Sequence, residues 1–290
     1  MKTEKRSFLL SIFLNKDHRW AMIWVLGVAV LGIWDIMFLN KPALLRVTNG
    51  FINTIIICLL VVIFTLILSW GLTLGLHFFQ YRKIRSGYIV LTFILNLVRS
   101  VPQIIGVLLS YVIIAALITR GWIGGAGVFV LMAFCMSVFI FMEMVDLMRE
   151  RISHFTKLDF YNAMKVCGIS EKRIINSDIL WKNSRIHIFN KLISVFGSAV
   201  FLQCSVDFII SVGLSTGVNT VSMPVTLGSL LAKMDSKQDI LAIGNTLFNP
   251  GYLPQLFMQH LQGLTVAFLI VFSLFCIYSI SNGYAERHRL

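Results

Sequence analysis

The chain has 290 residues, 57% hydrophobic and only 13% charged, with a net charge of +12 and a mean hydropathy of +0.83. A soluble domain carries about 25% charged residues, so this chain lacks the polar surface to face water on all sides. Long apolar runs without in–out alternation also exclude a membrane barrel, which leaves a polytopic all-α membrane protein.

Residues 1–19 carry a basic head and a short apolar run, Phe8 to Leu14, that ends in charges without a small-residue cleavage site. They predict an amphipathic segment at the cytoplasmic interface and not a cleaved leader. Runs of about 20 apolar residues then predict six spans: 20–39, 51–76, one within 87–118, 124–147, 189–212 and 261–282. In the second span Gly71 and Gly75, spaced G-x-x-x-G, predict close helix packing. The third run is long for one crossing, and Pro102 predicts a kink or break inside it. One membrane domain over 20–290 accounts for the chain, with no repeat and no second domain boundary.

Lysine and arginine set the orientation. The amino terminus, the second-to-third connection, the fourth-to-fifth connection and the tail hold nineteen; the alternate connections hold five, and Arg99 lies inside a span. The positive-inside rule places both termini and the loop at about 149–188 in the cytoplasm. The largest outer segment, about 213–260, contains Pro224, Pro250, Gly251 and Pro254 around VTLGSLLAKM, which predicts a short helix. A loop of this length either covers an outer mouth, meets an outer partner or is a tolerated insertion.

The five cysteines show no metal or C-x-x-C spacing and read as packing residues. No G-x-x-x-x-G-K-[ST] phosphate loop and no nucleophile–base constellation occurs, so no catalysis, cofactor or metal is expected in this chain. Charges within spans are costly and point to function. Arg99 either lines a translocation path or fixes packing by pairing with a carboxylate, Asp207 being a candidate partner. Gln203 and Ser205 join Asp207 in giving the fifth span a polar character, which places that helix beside the path. Glu143 and Asp146 read as the solvated end of the fourth span, and Asp35 likewise of the first.

The cytoplasmic stretch LDFYNAMKVCGISEKRIINSDILWK, residues 158–182, predicts two short helices around a glycine. Gly168 suits a helix stop at positive φ, and Ser170 suits an N-cap with Glu171 in the first turn. Ile175 and Ile179 share a face, while Lys172, Arg173 and Asn176 point elsewhere. Such a hairpin is too short to be stable alone and needs something to dock into, either its own bundle or another protein.

This stretch resembles the coupling loop of ABC importer permeases, which reads Glu-Ala-Ala, three residues, Gly, nine residues, then Ile-x-Leu-Pro or a variant. Here Phe160, Tyr161, Asn162, Ala163 and Met164 stand before Gly168, and Ile179 and Leu180 fall where the apolar pair belongs. The likeness is greatest to the second permease of oligopeptide, dipeptide and nickel importers, and it extends to NLVRSVPQIIGVLL and FGSAVFLQCSVDFIISVGL. The family's Glu, second Ala and terminal Pro are replaced by Asn162, Met164 and Trp181. The resemblance implies a type I importer fold and a hairpin that seats on a cytoplasmic ATPase. It further implies a second permease, two ATPases holding ATP and Mg, an outer substrate-binding protein, and a bacterial inner membrane. The residues leave two other readings open. One is a self-sufficient carrier using Arg99 and Asp207, although paired inverted repeats are expected there. The other is a membrane scaffold whose hairpin only recruits a partner.

Overall fold

In the computed structural model, which describes residues 15–213, 223–232, 244–254 and 261–288, the predicted apolar runs are helical and no strand occurs among the described residues. The helices are α1 (Lys16–Phe38), α2 (Lys41–Tyr81), α3 (Arg85–Ser100), α4 (Gln103–Thr119), α5 (Ala126–Ile140) and α6 (Met142–Thr156). After them come α7 (Asp159–Val166), α8, α9 (Arg185–Gly213), α10 (Leu227–Ala232) and α11 (Leu261–His288). Helix α8 starts as an α-turn over Glu171–Arg173 and continues as a π-helix over Ile174–Asn183.

Among the described residues four helices are long and apolar enough to cross a bilayer alone, and two bent pairs, each taken as one span, bring the total to six. The predicted break at Pro102 is a 96° bend between α3 and α4. Val101 is extended there (φ −87°, ψ 124°), as the residue before a proline must be. The 50° bend between α5 and α6 has no proline. At that bend the single proton of Ser69 Oγ is shared between the carbonyl of Thr65 on its own helix (2.6 Å) and that of Phe141 (3.1 Å), so a neighbouring helix touches an acceptor of the helical ladder. Two predicted boundaries move. The fourth span continues through α6 to Thr156, and Lys16 to Arg19 already belong to α1; residues 1–14 of the predicted amphipathic segment lie outside the described residues.

Helix α2, 41 residues long, is the axis of the bundle. Its buried positions, among them Gly50, Thr54, Cys58, Val61, Thr65, Ser69 and Thr73, form one stripe at spacings of three and four. These small side chains let neighbouring backbones come close, which is what drives helix association in lipid. Thr54 and Ser69 return their hydroxyls to carbonyls one turn back (2.8 and 2.6 Å). The stripe, and not the predicted Gly71 and Gly75 pair, makes the close contacts. A Cβ on Gly71 would meet nothing within 4 Å, and one on Gly75 only Leu91 at an ordinary 3.7 Å.

Helices α1 and α11 pair antiparallel, joined by Trp24 Nε1 to Ser273 (3.0 Å), and at one end by Thr265 to Asp35 (2.8 Å). Asp35, read from sequence as a solvated span end, is buried in this pairing. At the other end Lys16 meets Glu286 (2.7 Å) and Arg287 meets Asp17 (3.0 Å), so the start of α1 and the finish of α11 share one end of the bundle. Chain direction brings the α2–α3 connection and the α7–α8 hairpin to that same basic end. Gly283 is required there, because a Cβ would lie 2.6 Å from the backbone nitrogen of Asp17. Gly283→Ala is expected to push α1 from α11 and cost about 1–3 kcal/mol, read as a lowered melting temperature of the detergent-solubilised chain.

Candidate functional site

Two sites stand out, one at each end of α2. At the basic end, α7 projects from the bundle. Tyr161 is buried and Met164 half-buried, while Phe160, Asn162 and Ala163 are exposed and Val166 is 89% exposed. Gly168 follows at φ +75°, the left-handed conformation that reverses the chain at little cost only for glycine. Ser170 is extended before α8 but makes no side-chain cap hydrogen bond.

The predicted α-helix after Ser170 is corrected to a π-helix. An i→i+5 repeat stacks Ile174 on Ile179 and Ile175 on Leu180, and all four are fully buried against α6 and α9. Asn183 donates to the carbonyl of Asp178 (2.8 Å), and Lys182 pairs with the Asp178 carboxylate (2.7 Å). Trp181 stays exposed, 6.3 Å edge-on from Trp70, whose indole donates to Asn176 (2.7 Å).

Glu171 fastens the hairpin to α2. Its Oε1 accepts from Tyr161 Oη (2.6 Å) and from His77 Nε2 (3.0 Å), which places the imidazole proton on Nε2. Lys165 Nζ lies 3.3 Å from Oε2 and over the rings of Tyr161 and Tyr81. Burial by itself raises the Glu171 pKa, but the bonds from Tyr161 and His77 and the charge of Lys165 outweigh it and leave the carboxyl below its ordinary value. Burial pushes the Tyr161 phenol up, and its bond to the carboxylate adds to that.

At the opposite end the short helix predicted in VTLGSLLAKM is α10. Thr226 precedes it and trades hydrogen bonds with Ser229, backbone nitrogen to side-chain oxygen in both directions (2.9 and 3.2 Å). Thr226 Oγ1 also donates to the buried carboxylate of Asp207, to which Gln203 Nε2 donates as well (2.6 Å); Tyr111 Oη in turn donates to Gln203 (3.1 Å). From the other side α2 holds the same segment, Thr54 Oγ1 accepting from Leu227 N (3.0 Å) and Asn53 donating to Val225 O (2.8 Å). Thr226, Leu227, Ser229 and Leu230 are buried, so α10 is a wedge between α2, α9 and α11. Gly228 makes the wedge possible, since a Cβ there would stand 2.4 Å from the carbonyl oxygen of Cys204 on α9.

Arg99 does not meet Asp207. It forms a two-pronged pair with Asp146 of α6 (2.6 and 2.7 Å), both side chains about half exposed, while Asp207 takes neutral partners. Glu143, read as solvated, pairs with Lys191 (2.7 Å) and ties α6 to α9. Of the candidate path residues the structure joins Gln203 and Asp207, leaves half-buried Ser205 outside their hydrogen-bonded set, and sets Pro102 at the α3–α4 bend. Sequence reasoning missed His77, Tyr111, Thr226 and Gly228, and gave Glu171 only a helix-end role. The one available signal was a lone histidine where the apolar run of α2 ends.

No individual curated protein matches the chain. The family model described as the binding-protein-dependent transport system inner membrane component matches residues 67–287, well over half of the chain. That stretch contains both sites apart from the residues α2 lends to the α10 wedge. This multi-pass chain therefore belongs to that family, the membrane-spanning permease components of ABC importers.

Proposed function

We propose that the chain forms half of the translocation pathway of an ATP-driven importer for peptides or a related small solute such as a nickel chelate. It pairs with a second permease in a bacterial cytoplasmic membrane, and its basic end faces the cytoplasm. An outer binding protein delivers the solute, and two cytoplasmic ATPases, which hold ATP and Mg, seat on α7. The observation that carries this reading is the free face of α7, where an apolar Val166 is 89% exposed beside exposed Phe160, Asn162 and Ala163. A short helix with such a face gains stability by burying it in a partner. The Glu171 anchor then passes movement of α7 to α2 and, through α8, to α6 and α9. Gln203 and Asp207 belong to the outer closure, with α10 as the wedge that opens when the ATPases close. Arg99, Pro102 and Ser205 line the route.

The test is isolation of the tagged full chain from native membranes. An ATPase subunit and a second permease are expected to co-purify, and Val166→Asp is expected to cut ATPase retention about tenfold, the loss of roughly one buried apolar side chain. Intact complexes without an ATPase subunit would overturn the proposal. Transport by this chain alone in ATP-depleted, energised vesicles would identify a self-sufficient carrier.

A further inference from the structure

Two ion pairs stand side by side on one face of the bundle. Glu143 and Asp146, three residues apart on α6, hold Lys191 (2.7 Å) and Arg99 (2.6 and 2.7 Å) respectively. The side chains of Arg99, Asp146 and Glu143 are 52%, 53% and 41% exposed, and that of Lys191 is 28% exposed. Asn96 and Gln103, both exposed, add an amide on either side of the Pro102 elbow.

The depth of these groups follows from α2, whose apolar run reaches down to His77. Gly87 of α3 faces Phe79, and Leu91 faces Gly75, so α3 climbs α2 antiparallel and residue for residue. The same register carries Arg99 up to the level of Ile67. Helix α6 starts beside Ser69, which touches the carbonyl of Phe141. Ser69 is eight residues above His77, or about 12 Å along the helix. Both pairs therefore lie alongside the apolar run. Arginine and lysine can stretch toward water from such a place, but the short carboxylates of Asp146 and Glu143 cannot. Ionised groups at membrane depth face a bundle interior or a water-filled space and not lipid tails. Helix α1 shows the contrast, since Val25, Leu26, Val30 and Ile33 give it an exposed face of hydrocarbon.

We infer that the face made by the α3–α4 elbow, α6 and the start of α9 is a wetted wall of the solute route, fitted to a hydrophilic solute whose own charges cancel. The term route rests on the importer function proposed above. Each cation on this wall is matched by a carboxylate, so it offers polar contacts without a net field of either sign. A wall built to draw anions or cations would carry a surplus.

The test uses the full chain with its co-purifying subunits in nanodiscs, Cys135 and Cys167 being replaced by serine. Asn96→Cys and, separately, Val30→Cys are treated with small thiol reagents, one carrying a sulfonate and one a trimethylammonium group. Such reagents attack the thiolate, which forms in water and not in lipid. Both reagents are expected to modify position 96 at least about tenfold faster than position 30. Their two rates, each divided by that for a free thiol in solution, should be alike. In the position-96 variant, Asp146→Asn should then raise the ratio of anionic to cationic labelling about threefold or more, and Arg99→Gln should lower it. Labelling at position 96 as slow as at position 30 would overturn the inference, whether lipid or dry packing on a second permease were the cause. A strong preference for one reagent in the parent, or a ratio that neither variant moves, would overturn the charge balance. Absence of co-purifying subunits would instead sink the importer function, and labelling of the lone chain would still decide whether this face is wet.

Discussion

Gly228→Ala is expected to unseat the α10 wedge at the end of the bundle opposite the hairpin. The added Cβ would fall 2.4 Å from the Cys204 carbonyl oxygen and 2.7 Å from its Cα, and backbone within α9 cannot turn aside as a side-chain tip can. Helix α10 must lift, and the bonds from Thr226 to Asp207 and from Leu227 N to Thr54 go with it. Asp207 would then lose the Thr226 hydroxyl in a buried place where the lost bond is not replaced, keeping only Gln203. Overpacking and an unmet buried polar group cost about 1–3 kcal/mol each, so a total of about 3 kcal/mol is expected. The direct measurement is thiol labelling. Cys204 and Cys58 are buried, and Cys167 is exposed and must first become serine. A membrane-impermeant maleimide should then label Cys204 in Gly228→Ala and spare it in the parent. Unchanged protection of Cys204 together with unchanged transport would show that α10 is not a seal.

The second large effect is expected from Glu171→Ala. This removes the one group on which Tyr161, His77 and Lys165 converge, while the free face of α7 is left as it was. Hydrogen bonds to a charged group contribute about 1.5–3 kcal/mol each, reduced here for the partly exposed Lys165. Transport is expected to fall tenfold or more while ATPase binding persists, a split that mere unfolding would not produce. The sign of the pH response follows from the lowered Glu171 pKa. The docked state prefers the ionised carboxyl, so its contribution is complete above the ordinary glutamate value and is lost as pH falls through the lower docked value. Protease resistance of the hairpin should therefore hold through neutral and mildly acidic pH and drop only in stronger acid. A loss between neutral and mildly acidic pH would point to a different anchor.

The features legible in the sequence were those written in local chemistry. Pro102 cannot donate to a helix and announced its bend, and Gly168 announced its turn by lacking a Cβ. The second bend was silent because no proline marks it, and the polar contact made at it, from Ser69, comes from another helix. The π-helix was silent because Ile175 and Ile179 already suit an ordinary four-residue repeat, and packing on α6 and α9 selects the five-residue pairs, Ile174 with Ile179 and Ile175 with Leu180. Pairing was the least legible. Arg99 had several carboxylates within its possible reach, and the bend at Pro102 brings it to Asp146 and not to Asp207. The α10 wedge was visible as a helix, but its seat was not, because Gly228 owes its role to a backbone 24 residues earlier.

Helix α2 grips the α10 wedge through Asn53 and Thr54 and the hairpin through His77, with no break between them. At about 1.5 Å per residue, roughly 35 Å of straight helix separates the two grips. A rod of that length can serve as a lever, pivoting where Val61 and Thr65 are fully buried. In the proposed function, drawing the His77 end one way would swing the Thr54 end the other, so release of the wedge and displacement of the hairpin would be the two arms of a single stroke.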